Sequence, residues 1–331
     1  MIDLKAAFAG KRTLITGGLG FIGSNLARHL VELDAQVLLV DSLIPAYGGN
    51  PFNINGIEDR VRVNIADVRD RYGMEYLVGS QDIIFNLAGQ VSHIDSMQDP
   101  LTDLEINCRS QLSILEACRW HNPGTKIVYA STRQIYGRPK YLPVDEKHLC
   151  EPSDFNGVNK MAGEWYHSVC HKVFGMRTVS LRMTNVYGPG MRVKDARQTF
   201  IGWWIRRIVE GEELQIYGDG RQIRDFNHVD DVAHALLMVA ADPNADGRVY
   251  NLGGDEAVTL LDLAKLLVQI NGSGSYRMVP FPPDREKIDI GDYHGDYRKI
   301  HAELGWQPKI TLSQGLQTTL AFYRQYREHY W

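Results

Sequence analysis

Short apolar runs alternate with helically spaced apolar positions through the first half of the chain. "RTLIT", "QVLLV", "RVRVNIA", "DIIFNLAG" and "KIVYAST" are brief and rich in β-branched residues, which predicts buried strands. Between them, Leu101, Leu104, Cys108, Leu112 and Leu115 recur at the spacing of one helix face, and Val158, Met161 and Trp165 repeat it later. Strand and helix in alternation predict an α/β fold built on a doubly wound parallel sheet. After "RTVSLRMTNVYGPG" (177–190) the pattern loosens. "TFIGWWIRRIVEGEEL" and "LLDLAKLLVQI" read as helices, but Gly and Pro are denser and strands shorter. The expected division is a main domain over 1–185 and a smaller C-terminal lobe over 186–331, with part of 225–255 returning to the first.

Composition narrows this picture without changing it. The chain has 331 residues, enough for a main domain, a lobe and a large core. A net charge of −4 with 23% charged residues gives no basic excess for nucleic acid and no acidic block for disorder. Cys108, Cys118, Cys150 and Cys170 are scattered and form no CxxC pair, so no zinc or redox motif is expected and no metal is predicted. The opening "MIDLKAAFAGKRTLITGG" lacks a secretory apolar core, and runs such as "ALLMVAA" are too short to cross a bilayer. A cytoplasmic protein with no membrane partner is the expectation.

The candidate chemistry begins directly after the first predicted strand. "TLITGGLGFIGSNLARHL" places Gly17, Gly20 and Gly23 at the opening of a helix, with Phe21 and Ile22 between them. Glycines there allow a tight turn and close approach of backbone amides to a pyrophosphate, as in a Rossmann-type dinucleotide site. Asp41 ends the second strand 18 positions after Gly23; a carboxylate there accepts hydrogen bonds from ribose hydroxyls and repels a 2′-phosphate, favouring NAD over NADP. Asp67, with Val68 beside it, follows the third strand, where it either meets the adenine or caps the next helix.

With that spacing in view, "GGLGFIG", "NLAGQVS", "ASTRQIYG", "GVNKMAGEWY", "LRMTNVYGPG", "IYGDGRQIRDFNHVDDVA", "YNLGG" and "LGWQPKITLSQGL" together resemble the extended short-chain dehydrogenase/reductase family, specifically its nucleotide-sugar epimerases and dehydratases. The resemblance implies that Leu87, Ala88 and Gly89 line the cofactor. It implies that Thr132 hydrogen-bonds the reacting sugar hydroxyl and Lys160 holds the nicotinamide ribose. It places Asn185 against the diphosphate or sugar, Gln215 and Tyr217 against the nucleobase, Arg224 on the diphosphate, and Arg285 and Asp289 as a further arginine and aspartate of the substrate site. It also implies a homodimer through a four-helix bundle of the two long helices.

One position departs from the resemblance. The family's catalytic Tyr stands four residues before the Lys, and this chain has Asn156 there, preceded by Phe155. Neither side chain titrates. A positioned general base is worth ~10²–10⁴-fold in rate, so either another group moves the proton, the reaction omits that step, or the protein binds without turnover. His93 in "AGQVSHIDS" follows the fourth strand, where ligands sit in such sheets, and an imidazole exchanges protons near neutral pH. Asp154, Tyr136 and Lys160 are the other candidates. A second departure follows Thr132: the acidic pair of the family's dehydratases is replaced by Arg133 and Gln134, which disfavours 4,6-dehydration. Arg133 either binds a carboxylate or phosphate of the substrate or pairs with Asp145 or Glu146.

The expected function is NAD-dependent epimerisation of a nucleotide sugar by transient oxidation and hydride return, with His93 relaying the proton and Asn156 ordering water or substrate. The alternatives are a dehydratase or decarboxylase with a different acid/base set, and a non-catalytic protein that binds NAD and nucleotide sugar.

Overall fold

The computed structural model describes residues 2–331 apart from positions 45, 198 and 284–286. Its strands are β1 (Arg12–Thr16), β2 (Gln36–Asp41), β3 (Val61–Ile65), β4 (Ile83–Asn86), β5 (Lys126–Thr132), β6 (Arg177–Met183), β7 (Asn185–Tyr187), β8 (Leu214–Tyr217), β9 (Ile223–His228), β10 (Val249–Asn251), β11 (Ala257–Thr259) and β12 (Tyr276–Val279). Seven of them form one sheet in the order β3-β2-β1-β4-β5-β6-β10, and every neighbouring pair is parallel. This is the doubly wound α/β architecture that the alternation of apolar runs predicts.

The continuous apolar runs are explained by burial on both faces. Successive side chains of a strand point to opposite sides. Ile15, Leu39, Phe85 and Val128 pack on one face with Leu26, Leu30, Val232 and Leu236, from helices Phe21–Glu32 and Val229–Ala241. Their chain neighbours Leu14, Val40, Ile84 and Ile127 pack on the other face with Ile114, Leu115, Cys118 and Cys170. The last two cysteines are core thiols, and burial pushes the Cys118 thiol up to about 12.

β3 corrects an expectation. "RVRVNIA" reads as a buried strand, but β3 pairs with β2 alone at the sheet edge, and Val63 and Ile65 are exposed. β-branched letters mark an extended backbone, not its depth.

Beyond β6 the chain builds a second core. Ile201, Trp204, Ile205 and Ile208 of helix Phe200–Val209 meet Leu263 and Leu267 of helix Leu260–Asn271, and Leu316, Leu320 and Tyr323 of helix Leu312–Tyr326. A Thr311/Gln314 capping box fixes the start of the last helix. β7 and β9 are parallel neighbours, β11 flanks β9 in the antiparallel sense, and β8 pairs with β12. Among the described residues no helix is long and apolar enough to cross a membrane, and no cluster of ligating side chains can hold a metal.

Candidate functional site

A cavity of about 490 Å³ opens where the carboxyl ends of the main-sheet strands meet the second core. In a doubly wound sheet that crevice is where ligands bind. Arg285 lies outside the described residues. Every other residue expected to touch cofactor or substrate borders this one cavity.

One end of it is a phosphate cradle. Gly17 has φ +69°, and a Cβ there would stand 3.1 Å from the Ala88 Cα; a Cβ on Gly23 would stand 2.3 Å from the Gly17 carbonyl oxygen. Only glycine permits both the turn and the close packing of helix Phe21–Glu32 against it. Gly20 caps that helix with no side-chain hydrogen bond, whereas Asp154, Thr199, Thr259 and Thr311 each cap their own helices. The helix therefore keeps its first amides available for an anion. Asp41 stands at the end of β2, its carboxylate held by the amides of Leu19 (3.0 Å) and Leu43 (2.9 Å). This cradle and its acid fit a dinucleotide. Asp67 borders the cavity while its carboxylate is tied to Arg69, which lowers its pKa. The cap of the following helix is Asp70, so Asp67 is not the capping residue.

At the middle of the cavity β5 ends on Thr132. Its hydroxyl oxygen accepts the Gln134 amide at 3.3 Å, which leaves the hydroxyl hydrogen to donate elsewhere. Helix Phe155–Phe174 runs alongside and presents Asn156 and Lys160, one turn apart, on one face. The Lys160 ammonium is buried, donates to the Ala130 carbonyl at 3.1 Å, and is lowered by desolvation to about 8.

Asn156 is a strut. Its amide donates to the Gln90 carbonyl (2.8 Å) and to Asp103 Oδ2 (3.1 Å), which occupies both of its hydrogens. Asn107 donates to the same two acceptors, and Asn159 donates to Asp103 Oδ1. Three amides thus converge on one buried carboxylate. Neither Asp103 nor Gln90 was picked out from the sequence. An acid among "PLTDLEIN" carries no motif, and its three partners lie four, 53 and 56 positions away. Replacing Asp103 with Leu strands three buried donors at about 1 kcal/mol or more each. The expected loss is about 3 kcal/mol or more in urea unfolding, with Asp103→Asn less damaging.

The Gln90 carbonyl held by Asn156 belongs to the loop that leads into His93. His93 Nδ1 lies 2.7 Å from Asp154 Oδ2, and His93 Nε2 lies 2.7 Å from Gln134 Nε2. Asp154 is buried, caps the catalytic-helix candidate through Gly157 N (2.7 Å), and has its pKa held down against burial by His93. Two separate candidates from the sequence are therefore in close ionic contact, though without the alignment of a hydrogen bond. Tyr136 is excluded as a base: it is fully buried, away from the cavity, its hydroxyl donates to Asn251 Oδ1 at 2.7 Å, and burial raises its pKa.

The far side carries the charged wall. Arg133 Nη2 donates to Asn185 Oδ1 (3.0 Å), and the Asn185 amide donates to the Asp225 carbonyl (2.9 Å). Arg133 pairs with neither Asp145, which receives Tyr141 and Lys147, nor Glu146, which receives the Asn251 amide. Arg224 pairs with Asp289 (3.1 Å). Gln215 and Tyr217 face in from β8.

Residues 13–253 match the model of the NAD dependent epimerase/dehydratase family. The chain belongs to that family. A putative UDP-glucose 4-epimerase of Methanocaldococcus jannaschii is 32% identical, over 92% of this chain and 95% of that protein. The UDP-glucose 4-epimerase of Thermotoga maritima, solved with UDP-glucose, superposes with a TM-score of 0.86 at 30% identity, covering 95% of this chain and 99% of that one. A dTDP-glucose 4,6-dehydratase of Streptomyces venezuelae, solved with NAD, gives 0.87 at 27% identity, covering 96% and 98%. Nucleotide-sugar decarboxylases are relatives as well. This epimerase/dehydratase-family chain is accordingly an NAD-dependent enzyme of the nucleotide-sugar class, and the cradle of Gly17, Gly20 and Gly23 with Asp41 is where its residues fit NAD.

Proposed function

We propose that the protein epimerises a nucleotide-activated sugar by transient oxidation at one carbon, with the His93–Asp154 pair moving the proton. The observation that carries this reading is the 2.7 Å contact between His93 Nδ1 and Asp154 Oδ2, beside the cavity that also holds Thr132 and Lys160.

Bound NAD supplies the hydride acceptor and donor. The chain supplies the rest. Thr132 donates its hydroxyl hydrogen to the reacting sugar oxygen and orients it. His93 takes the hydroxyl proton at Nε2, where the sugar oxygen replaces the Gln134 contact, while the Asp154 carboxylate lies 2.7 Å from Nδ1. The carboxylate stabilises the imidazolium that forms, as the acid does in a Ser-His-Asp triad, and the proton returns to the oxygen when the hydride is given back. Lys160 holds the cofactor ribose. Asn156, in the position of the family's Tyr, keeps the loop before His93 in place by holding the Gln90 carbonyl, so its change from Tyr accompanies a base that sits on another element.

A decarboxylase reading is favoured by one observation, the Arg133 guanidinium on the cavity wall with no carboxylate partner among the described residues. A homodimer is supported by Leu101, Leu112, Trp120, Val158, Trp165 and Val169, which stand exposed on the two long helical segments.

Mixing NAD-loaded protein with a panel of sugar nucleotides tests whether redox chemistry occurs at all. The expected result is absorbance of reduced nicotinamide rising with at least one sugar. Tight binding with no such signal and no altered sugar from any binder means a protein that binds and does not turn over.

A further inference from the structure

We propose that Arg133 receives a carboxylate carried by the sugar, so that the substrate of this site is an acidic nucleotide sugar; the inference rests on the nucleotide-sugar reading above. Arg133 directly follows Thr132 at the end of β5 and lines the cavity with part of its surface open to it. Of its five N–H bonds, one is used by Asn185 Oδ1, and Nη1 is covered without any acceptor. The Tyr293 ring centroid lies 5.1 Å from the guanidinium carbon. Asn185 cannot turn away, because its own amide is fixed on the Asp225 carbonyl.

The negative charges that reach Arg133 are already engaged. Asp225 accepts from Thr184 and from the amides of Gly254 (3.2 Å) and Gly295 (3.0 Å). Asp289 accepts from Arg224 and Gln222, both at 3.1 Å. The neighbouring Arg224 adds a second positive charge; with burial, it lowers Arg133 to about 10. A guanidinium withdrawn from water without its own carboxylate is costly, and a planar carboxylate is the ligand that matches its parallel donors.

The place along the cavity selects the sugar over the diphosphate. Arg224, on β9, already has Asp289 as its counter-ion, whereas Arg133 has no carboxylate of its own among the described residues. Arg133 is bonded in the chain to the residue that meets the reacting hydroxyl. A carboxylate on the ring that Thr132 orients is the acidic group this placement offers to Arg133, and the matched pairs below separate it from the diphosphate that both members share.

The test is calorimetric titration of NAD-loaded protein with matched pairs: UDP-glucose against UDP-glucuronate, dTDP-glucose against dTDP-glucuronate, and GDP-mannose against GDP-mannuronate. For at least one nucleobase the acid is expected to bind about 10- to 100-fold more tightly than its neutral partner, the range of one charge-assisted hydrogen-bonded contact. Arg133→Met is expected to erase that gap, and Arg133→Lys to keep part of it. Equal or weaker binding of the acid in the wild type overturns the inference and leaves the nucleotide-sugar reading standing. An equal loss for both members of a pair in Arg133→Met, with a lowered melting temperature, means a structural arginine and also overturns it. Binding of no member of any pair overturns the nucleotide-sugar reading itself, and the inference with it.

Discussion

Replacing His93 with Asn lowers turnover by about 10²–10⁴-fold, the worth of a positioned general base, while NAD binding and the melting temperature stay near wild type. The side chain is part-exposed at the start of a short helix, and the loop before it is held by Asn156 and Asn107 through the Gln90 carbonyl, not by the imidazole. Loss of the ring therefore removes a proton acceptor without dismantling the loop. Asp154→Asn is the companion experiment. Asn caps a helix about as well as Asp, so the start of helix Phe155–Phe174 survives, but the imidazolium loses its counter-charge. Turnover falls in that variant too, with the melting temperature largely retained. Steady-state rates with the sugar nucleotide that reduces bound NAD measure both. An unchanged rate in His93→Asn removes the imidazole from the mechanism and passes the role to Lys160, a cavity-wall amine that burial brings down to about 8.

Replacing Lys160 with Met produces the opposite pairing of effects, a more stable cofactor-free protein and a nearly inactive enzyme. Desolvation brings Lys160 from 10.5 to about 8, with the Asp103 charge only partly opposing it. The folded value lies below the unfolded one, so unfolding takes up a proton between about pH 8 and 10.5. The penalty of the buried ammonium is complete below pH 8 and disappears as pH rises through that window. At pH 7 the Met variant is expected to be more stable by up to about 3 kcal/mol, from ~1.4 kcal/mol for each pKa unit, and the wild type closes the gap toward pH 10.5. Urea unfolding across that range measures the gap. On the proposed role of Lys160, NAD affinity and turnover fall together in the variant.

Much of the fold was legible because both faces of a parallel sheet are covered. That makes "DIIFN" and "KIVYAS" uninterrupted apolar runs, and it makes the strand–glycine–helix order of "TLITGGLGFIG" specific. Depth at the sheet edge was not legible, since Val63 and Ile65 have the same letters as buried strand residues. The site divides along the same line. Gly17, Asp41, Thr132 and Lys160 stand at strand ends or on one helix face, where local spacing predicts a common location. Asp103 and Gln90 do not, because their importance comes from amides brought in by tertiary packing. His93 and Asp154 were each visible as titratable groups near the site, but nothing in 60 intervening residues announces a contact between them. By its letters alone Arg133 has two roles open to it. Only the positions of Asp145 and Glu146, both engaged elsewhere, removed the simpler one.

In the proposed reaction one carbon of a nucleotide sugar is oxidised and then reduced on its other face. The most direct measurement is NMR of the product formed by NAD-loaded protein in deuterated water. The account predicts a sugar inverted at a single carbon, with no solvent deuterium at that carbon, because the same hydride leaves and returns. Deuterium in the ring together with loss of water or carbon dioxide contradicts it and establishes a lyase. So does an unaltered sugar from every nucleotide that binds.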